Sequence, residues 1–211
     1  MNRSIAGGIA LVLLSCGLGL LVHFGGLATV DADLLRAMSV ADRGPQWLGD
    51  TARFVSTFGD VGVRGIGISL VLAALLWRHR WRSGAIYLAT TITSILGHTV
   101  AKLLWARERP HLVPWLDDPH DMSFPSGHAA GSMVVLLLAA LLFDRYRLWS
   151  VAIMLSLAIG LTRPMLGVHW PTDVVGGWLW GAGFALIGAG VAQSMGLLDT
   201  RYERKISGAP S

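Results

Sequence analysis

Residues 5–30 read IAGGIALVLLSCGLGLLVHFGGLATV, with no aspartate, glutamate, lysine or arginine among them. A helix needs about 20 apolar residues to cross a bilayer. No backbone polar group can be left unpaired in lipid, so a run of this length predicts a membrane-spanning helix. It exceeds the roughly 7–15 apolar residues of a signal-peptide core, and no A-x-A site follows, so a retained first helix is expected. Five further apolar runs follow the same logic: 61–77, 85–105, 129–143 (starting near Ser126), 148–161 and 174–198.

The whole composition agrees. Of 211 residues, 53% are hydrophobic and 14% charged, whereas a soluble domain carries about 25% charged residues. That excludes a disordered chain, a coiled coil and an ordinary cytosolic enzyme. The expectation is an all-α protein: one domain over 1–211 forming a six-transmembrane-helix bundle. The single cysteine, Cys16, rules out an internal disulfide framework and a CxxC site. Glycines inside the runs would weaken helices in water, but in a membrane they allow close helix packing.

Charge placement sets orientation. Nine of the 17 lysines and arginines (Arg3, Arg78, Arg80, Arg82, Arg145, Arg147, Arg201, Arg204 and Lys205) fall on one face of a six-helix chain. The positive-inside rule then makes both termini cytoplasmic, with a flexible cytoplasmic tail from about residue 200 to 211. The opposite loops hold acids such as Asp31, Asp33, Asp42 and Asp50. Because the bilayer accounts for the basic residues, the net charge of +4 does not point to nucleic acid. Trp77, Trp81, Trp105, Trp149 and Trp170 fall near predicted helix ends, as an interfacial aromatic belt requires. Leu34, Leu35 and Met38, with Trp47, predict short interfacial helices within 31–60.

Polar residues collect at three places on the predicted outer face. Lys102 and Arg109 are seven apart, two helical turns, hence on one side of a helix. A lysine within an apolar span is a functional candidate, with snorkelling as its plain alternative. Arg107 reads as a solvated neighbour. Phe124-Pro125-Ser126-Gly127-His128 directly precedes an apolar run. Ser126 reads as an N-cap, Gly127 permits close backbone approach, and a helix start favours phosphate. The plain alternative is a capped helix with an interfacial histidine. Third come Arg163, followed by Pro164 as the end of helix five, and then His169 and Asp173. These last two are four apart across a helix start at Pro171. The aspartate can accept from one imidazole nitrogen and leave the other free as base or nucleophile. Here the alternatives are a dipole-serving aspartate and an interfacial histidine.

Together these places hold three cations, two histidines, one carboxylate and a helix N-terminus, and they suit a tetrahedral oxyanion. Acids are too few for a divalent clamp, so the set points to metal-free, cofactor-free phosphoryl transfer with a histidine nucleophile. His98 reads as a core histidine, His23 and Cys16 as packing residues. His111, His120, Asp117, Asp118 and Asp121 read as mostly solvated, with one or two near a headgroup.

Lys102-x6-Arg109-Pro110, Pro125-Ser126-Gly127-His128 and Arg163-x5-His169-x3-Asp173 resemble the three signature motifs of the type 2 phosphatidic acid phosphatase family, which includes vanadium haloperoxidases. Thr162 replaces the usual serine before the third-motif arginine but keeps a hydroxyl. The resemblance implies that His169 is the nucleophile that becomes phosphohistidine and that Asp173 orients it. It implies His128 as general acid, and Lys102, Arg109, Ser126, Gly127 and Arg163 as phosphate-binding residues. It implies a bacterial inner-membrane lipid phosphatase with its site facing the periplasm. The expected substrates are undecaprenyl diphosphate, phosphatidic acid, phosphatidylglycerol phosphate or a lipid A phosphate. Phosphotransfer to another acceptor, a vanadate-dependent haloperoxidase and a non-catalytic transporter are the alternatives.

Overall fold

The computed structural model describes residues 2–41, 44–143 and 146–198. Asp42, Arg43, Arg145, Arg201, Arg204, Lys205 and the predicted flexible tail lie outside them. The described residues form helices and turns without strands. The elements are α1 (Arg3–His23), α2 (Ala28–Met38), α3 (Gln46–Thr57), α4 (Val61–Trp77), α5 (Trp81–Trp105), α6 (Gly127–Leu142), α7 (Tyr146–Met165) and α8 (Pro171–Ser194).

Four helices, α1, α5, α7 and α8, are long and apolar enough to cross a membrane; α3 and α4 qualify together as a pair bent by 44°, and α6 is a shorter apolar helix. The first span is shorter than predicted. It stops at His23, because the chain turns through Gly25 at φ +76° and restarts as α2; a left-handed residue ends a helix, and glycine adopts it without strain. Two short helices, α2 and α3, form in the stretch where interfacial ones were expected, with Leu35 buried and Leu34 exposed. Pro164 does not end its helix, which continues to Met165. The turn comes at Gly167, φ +79°.

The core is α6. Twelve of its 16 residues are buried, which explains its unbroken apolar sequence: a helix covered on every side has no polar face. It packs against α8 through small residues. A Cβ on Gly177 would stand 2.6 Å from the Ser126 carbonyl oxygen, and one on Gly181 would collide with that of Ala130. The next turns of α8 meet α1 in the same way, at Gly183 and Gly8. Outward, Leu13, Leu14, Ile66, Leu70, Leu96, Leu103 and Leu104 are exposed. So broad an apolar surface fits lipid, since soluble monomers rarely expose one.

Two ends of the bundle follow from chain direction. At one, Arg80 donates to the carbonyls of Leu142 (2.7 Å) and Leu197 (2.9 Å), and Asn2 donates to Gly190 (3.1 Å). An arginine on terminal carbonyls also complements the helix dipole. At the other lie the C-termini of α5 and α7 and the N-termini of α4, α6 and α8.

Candidate active site

The three polar places of the sequence meet at this second end. Lys102 occupies the last turn of α5, and the helix stops at Ala106 in a left-handed conformation (φ 41°). Arg109 therefore lies in the following loop, not on the helix face with Lys102 as the spacing predicted. The loop carries it back to the same carboxylate. Asp121 Oδ2 is 2.7 Å from Lys102 Nζ, and its Oδ1 is 2.5 Å from Arg109 Nη2. Arg163, 2% exposed at the C-terminal end of α7, donates from Nη1 to Asp117 Oδ2 and to Ser56 Oγ, both at 2.6 Å.

Asp117 and Asp121 are exposed, as expected of loop acids, but each also pairs with cations of the site. Burial works to raise the Asp121 carboxyl, but the hydrogen bond and charge of Lys102, then those of Arg109, outweigh it and hold the group at about 2. For Asp117, burial is likewise outweighed by Arg163, and the shift is downward.

His169 sits on the turn between α7 and α8, 2% exposed. Its Nε2 is 3.1 Å from Arg109 Nη1. Arginine can only donate, so Nε2 is an acceptor and the ring proton is on Nδ1. That nitrogen faces Asp173 Oδ2 at 3.3 Å. Burial, then the charges of Arg109, Arg163 and Lys102, push His169 well below its ordinary value. The result is a neutral imidazole whose lone pair points into a cluster of cations.

Asp173 is fully buried and held on several sides. It accepts from the Trp170 amide at 2.9 Å, from Ser123 Oγ, and from Arg107 Nη1 at 2.6 Å. Arg107 also donates to Asp31 at 2.6 Å, and Asp31 accepts from the amide (3.0 Å) and hydroxyl (2.6 Å) of Thr172 at the start of α8. The solvated reading of Arg107 is therefore corrected: it bridges two buried carboxylates. Apart from Asp121 and Asp117, sequence reasoning also passed over Asp31 and Ser123. Nothing in their spacing marks them, since each reaches the site through tertiary folding alone.

Ser126, Gly127 and His128 begin α6. Ser126 holds the N-cap position, but its side chain makes no capping bond. Its amide donates to the Asp173 carbonyl at 2.9 Å, which joins the second and third motifs. His98 is half-buried and steadies this segment, with its Nε2 3.0 Å from the Pro125 carbonyl. Among the described residues, the buried side-chain atoms without a hydrogen-bond partner include Ser126 Oγ and Arg163 Nε. A buried polar atom left unsatisfied costs about 1–3 kcal/mol, so two in one site suit a ligand that pairs with them. The first amides of α6, lacking intrahelical partners, favour an anion.

Beneath this end, α3, α4, α6 and α7 line a partly open pocket of about 410 Å³. Its lining includes Val55, Phe58, Val63, Leu136, Leu155 and Ile159.

Comparison with known proteins gives the following. A family model described as the PAP2 superfamily matches residues 83–194. Lipid A 1-phosphatase of Rhizobium johnstonii is 45% identical over 76 residues, which is 36% of this chain and 30% of that protein. The match therefore spans less than a third of that relative's length. Decaprenylphosphoryl-5-phosphoribose phosphatase of Mycobacterium tuberculosis is 33% identical over 138 residues, 63% of this chain and 73% of that one. The crystal structure of a transmembrane PAP2 type phosphatidylglycerolphosphate phosphatase from Bacillus subtilis superposes with a TM-score of 0.80. It is 25% identical and covers 89% of this chain and 96% of its own.

Proposed function

The chain belongs to the PAP2 superfamily, and we propose that it is a membrane lipid phosphatase that removes phosphate through a phosphohistidine on His169. The observation that carries this reading is the set of buried donors left without a partner, Ser126 Oγ and Arg163 Nε, beside cations paired with the loop carboxylates Asp117 and Asp121. Relatives named as phosphatases of lipid A, of decaprenylphosphoryl-phosphoribose and of phosphatidylglycerolphosphate share one substrate chemistry, a phosphate on a lipid. The apolar pocket below His128 suits a substrate whose hydrocarbon stays in the bilayer.

The reaction follows from the groups present. Substrate phosphate displaces Asp117 and Asp121 and takes hydrogen bonds from Lys102, Arg109, Arg163, Ser126 and the Gly127 amide. Arg109 moves from His169 Nε2 to a phosphoryl oxygen, which frees the lone pair. That pair attacks phosphorus, the bond to the leaving oxygen breaks, and His128 gives that oxygen its proton. Asp173 stabilises the positive charge on the phosphorylated ring. Water then attacks phosphorus, His128 takes its proton, the P–N bond breaks, and inorganic phosphate leaves. Positioning and charge stabilisation carry the catalysis.

The remaining elements of the proposal are a single domain and six crossings, with α3–α4 as one bent span and α6 as a short one. Both termini are cytoplasmic and the site faces the exterior of a bacterial inner membrane. The test is phosphate release from purified protein in detergent, across lipid phosphomonoesters and diphosphates, with and without EDTA. Release that EDTA leaves intact, that vanadate inhibits competitively and that His169→Ala abolishes is the expected result. Wild-type turnover in His169→Ala would remove the nucleophile; no release from any lipid phosphate would remove the activity.

A further inference from the structure

A segment outside all three motifs is fitted to His128. Asp60, the residue before α4, places Oδ1 3.0 Å from His128 Nε2. Gly59 lies against the same ring: a Cβ there would collide with His128 Cδ2 and come within 2.7 Å of Ile159 Cγ2. Arg64, one turn into α4, donates to the Gly127 carbonyl at 2.7 Å, and its guanidinium fills the space beside Gly131. The start of α4 thus meets the first turn of α6 at the ring, at the backbone before it and at the helix face after it.

We propose that Asp60 is a positioning residue for His128, holding the imidazole by Nε2 so that its other nitrogen delivers the proton to the leaving oxygen. This rests on the phosphatase reading of the site. The groups facing His128 are Asp60 and Arg64 at the start of α4, Arg163 from α7, His169 from the α7–α8 turn and Asp117 from the α5–α6 loop. Two arginines in that set oppose an imidazolium. Asp117 pairs with Arg163 until phosphate displaces it, and among the described residues Asp60 is the carboxylate hydrogen-bonded to the ring. A carboxylate that fixes one nitrogen and balances the charge formed on the ring is the arrangement by which histidines serve as proton carriers. In the step itself the P–O bond breaks, and its electron pair takes the proton from His128 Nδ1. The N–H pair stays on the ring, and Nε2 keeps its own proton, donated to Asp60.

The role predicts a dependence on the leaving group. An alkoxide needs a proton as it departs, whereas a nitrophenolate does not. The experiment measures first-turnover alcohol release by purified full-length protein from dodecyl phosphate and from p-nitrophenyl phosphate. Asp60→Asn is expected to lose about 100-fold on the alkyl ester and no more than about threefold on the aryl ester, the range general acids supply. Asp60→Glu, which keeps a carboxylate, should recover most of the alkyl activity. In a His128→Asn background, Asp60→Asn should cost nothing further on the alkyl ester. Aryl turnover reports that the variant is folded. Equal losses on both esters, or no loss on the alkyl ester, would overturn the role of Asp60 while leaving the phosphatase reading intact. A wild-type protein inactive on both esters would overturn that reading, and this inference with it.

Discussion

Asp121 grips Lys102 and Arg109 with both carboxylate oxygens, so an incoming phosphate must compete with a group already on the protein. Its side chain is 62% exposed, and ion pairs in such positions are worth about 0–1 kcal/mol. Asp121→Asn should therefore tighten competitive inhibition by orthovanadate only modestly, by about fivefold or roughly 1 kcal/mol. Because the carboxyl is held at about 2, it is ionised throughout the working range. The ratio between variant and wild type should therefore stay constant over mildly acidic to neutral pH. Weaker inhibition of the variant would mean that Asp121 builds the cage instead of competing for it. His169 gives a second residue-level test. A histidine pushed well below its ordinary value stays neutral above its own lowered value, so at about pH 5.5, where free histidine is mostly charged, its ¹⁵N spectrum should show a neutral ring protonated on Nδ1. An imidazolium spectrum there would contradict the site's charge balance. The eight residues proposed for the site could be singled out in the sequence because the motifs put rare polar groups beside apolar runs, and the fold brings those motifs to one end. Arg107 could not, because spacing alone cannot say that the chain leaves the helix at Ala106 and folds that guanidinium inward between Asp31 and Asp173.

Helix α6 begins within the second motif and α8 carries Asp173 of the third, and the space between them is set by glycine. The approach is close enough that the amide of Ser126 meets the carbonyl of Asp173 at 2.9 Å, so helix packing also sets the geometry of the candidate site. Gly181→Leu, which would drive a side chain into the Ala130 carbonyl and toward Met133 Cβ at 2.8 Å, should lower thermal stability in detergent. Overpacking costs about 1–3 kcal/mol where side chains can yield, and backbone yields less. Gly62→Ala makes the control, since nothing lies within 4 Å of a Cβ at Gly62. Equal stability of both variants would show that the α6–α8 contact does not hold the bundle together. Five of the six apolar runs anticipated α4 to α8 well, because length and apolarity mark a membrane helix whatever its neighbours are. The first run misled only at its end: an apolar stretch continues through Gly25, and composition does not register a left-handed turn between two helices.

For the whole molecule, Arg78, Arg80 and Arg82 lie around the α4–α5 turn, at the end opposite the candidate site, and this polarity bears on which side of the membrane the site faces. Arg80 shows that a loop arginine can have a structural role, fastening the ends of α6 and α8, so arginine asymmetry alone is not proof of orientation. The two explanations separate experimentally. The protein has one cysteine, Cys16, and a Cys16→Ser background leaves no thiol. Into it, His120→Cys adds a thiol to the exposed α5–α6 loop and His79→Cys adds one to the exposed α4–α5 turn. If charge sets orientation, a membrane-impermeant maleimide should label the first in intact cells and the second only after permeabilisation. Hydrolysis of an impermeant phosphate ester by intact cells should then depend on His169. The reverse labelling pattern would turn the site toward the cytoplasm and leave the arginines with their structural role alone. Labelling of both in intact cells would place the two turns on one side, which no odd number of crossings between them allows.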